Sequence, residues 1–409
     1  MIRGAQELIS TDPKRSAAEF ERLFDKLGAQ AVDDVTIRFT LTRPASYFPS
    51  VVSVWLIRTQ PREAIESGGA NWTEPGTVWT NGPFVLERWS HNREIFLKKN
   101  PYWFDASQVA LDRIRFSMIA DTATALDQYK SGNLDSLDPY GNLSINDVDN
   151  LKEDPVLVKQ LQTVPALCTH YYGFNVTKPP FEDVRVRKAF IAATDREAIV
   201  NSNVRLGEPA RWFTRPGIFA SLDISDTLGI SFNPNQARDY IRQAGYDKKK
   251  MPNITLAVNT NDSHQRIAET IAQAWKTNLG VDVRVGALDW KSYIQTLRDD
   301  PPQIFRLGWC GYYPDAANFG ASVFQTNAPD NFTRWSSPQF DQVIQTAARE
   351  TDAVKRRNLY RSAEKVLIED NAVIIPLWWS TRATLTRPTL KRTFAITDGY
   401  ERLETWALQ

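Results

Sequence analysis

From about residue 180 onward the sequence alternates between helical and strand patterns, and this alternation most constrains what the chain can fold into. Residues 184–200 carry a helical pattern with Asp183 placed as its N-cap, and residues 235–244 carry another that stops at Gly245. Residues 254–258 (Ile-Thr-Leu-Ala-Val) read as a strand, 263–279 as a long amphipathic helix ended by Gly280, and 281–285 as a further strand. A helix over 289–298, a buried strand over 304–307, helices over 338–349 and 354–368, and strands over 372–377 and 383–385 complete the series. Strands separated by helices do not pair as hairpins, so they imply an α/β domain with a mixed sheet.

Before about residue 175 the grammar differs. Residues 17–30 set Phe20, Leu23, Phe24 and Leu27 on one helical face, and the strand pattern 35–41 alternates cleanly. Residues 78–120 read as short strands broken by turns, and 122–131 as a helix ending near Gly132. The turn at 177–180 (Thr-Lys-Pro-Pro) marks the change. A chain of 409 residues is also too long for one core.

Several function classes lack their signatures. A formal net charge of +1 leaves no basic excess for nucleic acid or an anionic membrane. No run approaches the roughly 20 apolar residues of a membrane helix, and no secretory signal follows Met1. Phosphate-loop, dinucleotide, HExxH and GxSxG motifs are absent, so no cofactor is expected. The three histidines, His91, His170 and His264, are too dispersed to suggest a His-rich metal site. A hydrolase remains a rival reading without a motif, because no acidic pair stands out as catalytic. Cys168 and Cys310 are far apart and lack CxxC spacing; they are either two buried thiols or one long-range disulfide, which needs an oxidising compartment.

Four groups of segments carry a resemblance. They are 80–89 (TNGPFVLERW) with 100–103 (NPYW); Tyr171-Tyr172 with 178–190 (KPPFEDVRVRKAF) and Asp195-Arg196; 259–264 (NTNDSH) with 289–291 (DWK); and 306–310 (RLGWC) with 337–341 (SPQFD). In order and near-spacing they resemble solute-binding protein family 5, most closely its oligopeptide-binding proteins, over essentially the whole chain. The resemblance implies an α/β fold of the two-lobe periplasmic-binding-protein type II (Venus flytrap) kind, with the remnant of a third small domain. By that likeness residues 1–54 are the small-domain remnant, 55–172 with 377–409 the first (hinge) lobe, and 173–376 the second. It also implies that the sequence starts inside the small domain of a longer protein, and that such a chain is weakly stable for want of sheet partners.

The implied function is that of a monomeric extracytoplasmic component of an ABC importer, periplasmic or a cell-surface lipoprotein. It would not be an enzyme; it would capture a peptide or peptide-like ligand and deliver it to permease subunits. A non-peptide solute such as an opine, an oligosaccharide or a nickel complex is the alternative. Such a protein must bind what all peptides share, namely the backbone and the charged ends. The resemblance assigns the ligand carboxylate to Arg306, His264 and Arg205, with a further family arginine falling near Leu297 and Arg298. Arg306 is expected on a buried strand, where a cation needs a reason to exist; a structural ion pair is the competing one. Trp290 and Trp309 match cleft aromatics, although either suits a core equally well. Tyr171 matches a cleft tyrosine, and Ser380 stands where the family has another. Cys310, on the cleft strand, matches the partner of Cys168 in a family disulfide. Tyr312 occupies the position of the aspartate that binds the ligand α-ammonium, which implies a ligand without a free amine there. Asp315 either substitutes for that aspartate or is a turn or cap residue.

Overall fold

The computed structural model describes residues 1–12, 16–54, 57–137, 143, 145–204, 206–246, 251–394 and 401–409. Its organising element is a strand that hydrophobic patterning hides, Leu161–Phe174. This strand sits inside a six-stranded sheet ordered Gly207–Pro209, Ile374–Leu385, Leu161–Phe174, Ile304–Cys310, Ile254–Asn259, Val283–Leu288. It is covered on both faces, so it reads as a nearly continuous buried run from Ala166 to Phe174 and not as an alternation. It pairs antiparallel with both Ile304–Cys310 and Ile374–Leu385. Ile254–Asn259 is parallel to Ile304–Cys310 and to Val283–Leu288, and the helices Asp262–Leu279 and Trp290–Asp299 make the crossovers.

Local chemistry sets the helix ends. Asn261 caps Asp262–Leu279 by accepting from the His264 amide, and Gly280 closes it at φ 71°. The expected helix over 184–200 is two helices, Val184–Ala192 and Arg196–Ile199, because Asp195 starts a new N-cap by accepting from the Ala198 amide. The expected strand at 281–285 lies at Val283–Leu288, and those at 372–377 and 383–385 are one strand, Ile374–Leu385, with two register shifts. Near the N-terminus the helix Ala17–Phe24 stops short of Leu27. The expected strand over 35–41 shortens to Thr36–Phe39, which forms a hairpin with Ala29–Asp33. Phe84–Ser90, Glu94–Lys99 and Arg113–Ser117 form a separate three-stranded sheet.

Strand alternation splits the core of the main sheet in two. Phe305 and Leu307 pack with Tyr171, Phe213 and Phe324 on one face, while Ile304 packs with Tyr172, Phe174 and Trp275 on the other. A third cluster gathers Tyr129, Leu137, Val148 and Leu151 around Ala383 and Leu385. The paired strands Leu161–Phe174 and Ile374–Leu385 therefore run from the small core into the large sheet. The lobe boundaries expected at 172/173 and 376/377 fall within these strands.

The motif spanning 178–196 is a fold element. Asp183 caps the helix Val184–Ala192. Arg187 and Arg196, each 5% exposed, direct their guanidiniums at backbone carbonyls. Arg187 serves Phe181, Glu182 and Asn371; Arg196 serves Pro376 at 2.6 Å and Ile230 at 3.0 Å. Both tie this region to the strand Ile374–Leu385 or to the turn before it.

Cys168 and Cys310 stand directly opposite in the register, and the Gly311 amide donates to the Leu167 carbonyl at 2.7 Å. That pattern marks a non-hydrogen-bonded pair, the closest approach two antiparallel strands make. The cysteines form a disulfide with Cα atoms 4.0 Å apart, as the resemblance implied. The bridge joins positions 142 residues apart, which by chain entropy stabilises the fold by about 5 kcal/mol at most. Cys310→Ser, or reduction, is expected to lower the urea midpoint, by a shift that corresponds to about 5 kcal/mol or less. A midpoint that does not move on reduction would contradict this.

Candidate functional site

The register set by this bridge brings a charged cluster to one face of the sheet. Arg306 opposes Tyr172, Gly308 opposes His170, and Cys310 opposes Cys168, so all six share a face. A Cβ on Gly308 would lie 3.2 Å from His170 Nδ1, so the glycine leaves room for the ring beside the strand. The imidazole stacks on Trp378 with centroids 4.4 Å apart and planes at 13°.

Arg306 is 7% exposed. Its Nη2 donates to His170 Nδ1 at 2.8 Å, and its Nη1 points at Asn259 Oδ1 at 3.4 Å. Its Nε is buried without a partner, and among the described residues Arg306 has no ion pair. His264 Nδ1 lies 2.9 Å from the same Asn259 Oδ1. Two donors converging on one oxygen fix the orientation of the amide and place the His264 proton on Nδ1. Burial, then the Arg306 charge, push His264 down to about 4 from its ordinary 6.5. Burial, then Arg306 and His264, hold His170 well below 6.5 as well. Burial pulls Arg306 below the usual arginine value, and nearby Tyr293, Tyr172 and Tyr171 oppose that. A desolvated guanidinium flanked by two neutral imidazoles and an amide has the chemistry to accept an anion. The structural ion pair that competed for Arg306 is not present among the described residues.

The remaining expected positions divide. Trp309 is partly buried, donates Nε1–H to the Asn318 carbonyl at 2.8 Å, and meets Tyr312 edge-on at 6.1 Å. Tyr312 is 66% exposed, and Trp290, at the start of its helix, is 56% exposed; both offer open rings. Tyr171 differs from expectation. Alternation turns it to the opposite face, where it is 2% exposed between Phe213 and Phe324 in the core. Leu297 is fully buried and Arg298 is exposed on the helix, so neither joins Arg306. Arg205 lies outside the described residues. Ser380 is partly buried, and its carbonyl accepts from Arg215. Asp315 is not available to a ligand: it accepts from the Ala317 amide and forms a two-pronged pair with Arg356 at 2.6 and 2.8 Å, both side chains 1% exposed. The turn reading of Asp315 therefore holds, since its side chain accepts from the amide two residues on, and the buried partner is what the sequence did not show. His170 and Asn259 were missed, His170 because an isolated histidine on an unrecognised strand carries no pattern.

Residues 9–331 match the bacterial extracellular solute-binding proteins, family 5 Middle. The chain belongs to this family. It is 32% identical over 366 residues to the periplasmic oligopeptide-binding protein OppA of Escherichia coli K12, covering 88% of this chain and 66% of that protein. The chain thus spans just under two thirds of the length of that relative. It is 30% identical over 365 residues to the "Probable deoxycholate-binding periplasmic protein YgiS" of the same strain, covering 88% of this chain and 67% of that one. Among solved structures it superposes on the unliganded open form of the periplasmic murein tripeptide binding protein MppA with a TM-score of 0.85 at 27% identity, covering 98% of this chain and 78% of that one. A second structure of the Escherichia coli murein tripeptide binding protein, with the same identity and coverage, gives 0.67. The family 5 fold is thus the two-lobe type II periplasmic-binding-protein fold. Among the described residues no helix is long and apolar enough to cross a membrane, and no group of three or more His, Cys, Asp or Glu is placed to hold a metal ion.

Two imidazoles held neutral by the fold make stability depend on pH. The unfolded chain binds protons first as the pH falls through 6.5, while folded His264 resists until about 4. Stability is therefore expected to fall between about pH 6.5 and about pH 4. The slope of the urea midpoint against pH in that window should be shallower in His264→Gln than in the parent. Identical slopes would show that His264 is not held neutral.

Proposed function

We propose that this family 5 chain acts as the extracytoplasmic capture component of an ATP-driven importer. It binds a peptide or peptide-like ligand between its lobes, holds the ligand carboxylate at Arg306 beside His264, and hands it to membrane permease subunits without changing it chemically. The observation that carries the reading is Arg306: a 7%-exposed guanidinium with an unpartnered Nε and no ion pair among the described residues. Such a group is costly until an anion arrives. The hinge in this reading is the strand pair Leu161–Phe174 and Ile374–Leu385, where it leaves the small core. The greater likeness to the open form of the murein tripeptide binding protein supports an arrangement with the cleft open. The disulfide supports a location outside the cytoplasm, in keeping with the periplasmic relatives.

One observation favours a second reading. Tyr312 is exposed where an amine-binding acid was expected, and the nearest acid in sequence, Asp315, is committed to Arg356. A carboxylate with an apolar body and no ammonium fits that arrangement, and one relative is named for deoxycholate.

Arg306→Ala is expected to weaken ligand binding by about 2–5 kcal/mol, the usual cost of removing one partner of a desolvated charge contact. C-terminally amidated peptides should lose comparable affinity for the unchanged protein. Calorimetry on matched acid and amide peptides decides it; equal affinities remove Arg306 from the site. A parallel pair with free and acetylated N-termini separates the two readings.

A further inference from the structure

The cluster around Arg306 has an asymmetry that its two histidines do not share. His170 Nδ1 accepts from Arg306 Nη2 at 2.8 Å, so its neutral form carries the proton on Nε2. Protonating Nδ1 would replace that acceptor by a second donor and release the guanidinium. His264 is the reverse. Its Nδ1–H is spent on Asn259 Oδ1, and its Nε2 is left as a lone pair. A proton added at Nε2 disturbs no bond and creates a new donor beside Arg306. The geometry points to a division of labour that rests on the reading of Arg306 as the anion anchor: His170 is a positioning residue that holds the guanidinium by staying neutral, and His264 takes up one proton when the anion binds.

The surroundings support this. Facing the two rings are Arg306 from Ile304–Cys310, Tyr172 from the same strand as His170, and non-titrating Trp378 and Asn259. Tyr293 lies across the sheet, its hydroxyl bonded to the Arg306 carbonyl at 2.6 Å, and Tyr171 faces the same side. Asp262 sits exposed in the first turn of the His264 helix. With the cleft empty, burial first and then the Arg306 charge disfavour a second positive charge at His264. A carboxylate between them reverses the sign of that interaction. Binding then carries a proton in, and affinity rises as the pH falls, by at most about tenfold per pH unit for one proton.

The chain has only three histidines, so imidazole NMR signals can be followed singly, with His91→Gln completing the assignment. The probes are trialanine, its C-terminal amide, and acetate as a bare carboxylate. Support is a His264 titration that moves to higher pH with trialanine or acetate but not with the amide. Calorimetric proton uptake at pH 5–6 should vanish in His264→Gln, and affinity should drop in His170→Phe and recover in His170→Asn, which keeps an acceptor near the Nδ1 position. If trialanine binds through Arg306 while the His264 titration stays put and no proton is taken up, the inference fails and the peptide reading stands. If acetate alone moves His264 and no peptide binds, the inference stands and the peptide reading fails. If neither probe binds, both fail.

Discussion

The pairing register between Leu161–Phe174 and Ile304–Cys310 is the constraint on which the rest of the site depends. Side chains along a strand alternate faces, so a slip of one residue would exchange every face. It would send His170 to the side where Tyr171 now packs in the core, and would break the contact with Arg306. Cys168 and Cys310 fix this register covalently, two residues beyond the Gly308–His170 pair. The bridge therefore stabilises the fold and also fixes which side chains share a face with the cation. Gly308 belongs to the same device, since the approach of the imidazole depends on the missing Cβ.

A second constraint holds the loop that follows. Asp315 and Arg356 form a buried pair, and Tyr47 stacks on Tyr313 at 6.1 Å while lying 6.0 Å from the Arg356 guanidinium. Asn318 accepts from the Tyr312 amide through its side chain and from Trp309 through its carbonyl. The half-buried ring of Trp309, which packs against the core face that holds Tyr171, and the open ring of Tyr312 are thus carried on a segment fastened at both ends. Breaking such a pair leaves an uncompensated buried charge, which is why Asp315 is poorly suited to serve a ligand as well.

Much of this was legible in the sequence, but unevenly. Several helices between 235 and 365 declared themselves through their periodicity and through terminal glycines such as Gly280, which act locally, whereas the helix Ala317–Phe324 was not read. The long strand Leu161–Phe174 did not, because a strand covered on both faces shows no alternation. The run 178–196 gave the most specific resemblance, yet its buried arginines, Arg187 and Arg196, serve backbone carbonyls and Arg185 pairs with Asp183. Recognition came from what holds the fold together. Arg306 and His264 were singled out through the resembling segments 306–310 and 259–264, whereas His170 became visible only once pairing placed it opposite Gly308. Tyr171 was assigned to the cleft through the resemblance alone; strand alternation, which the sequence reading did not apply there, turns it to the face opposite Arg306.

The arrangement separates what must be recognised from what must be tolerated. A cation held out of water without a countercharge raises the free energy of the empty state, and an arriving anion relieves it. His170 and Asn259 offset part of that cost without cancelling it, since both are neutral acceptors. If Arg306 is the anchor, as proposed, selectivity for an anionic group would come from one directional contact that is already desolvated, so capture would add little new charge burial. Trp290 and Tyr312 act differently. Their exposed rings offer apolar area with few directional demands, which suits ligand bodies of varied shape. In the proposed reading, a site built from one demanding contact and several permissive ones would discriminate by terminal charge far more than by side chain, the selectivity that a carrier of many related ligands would require.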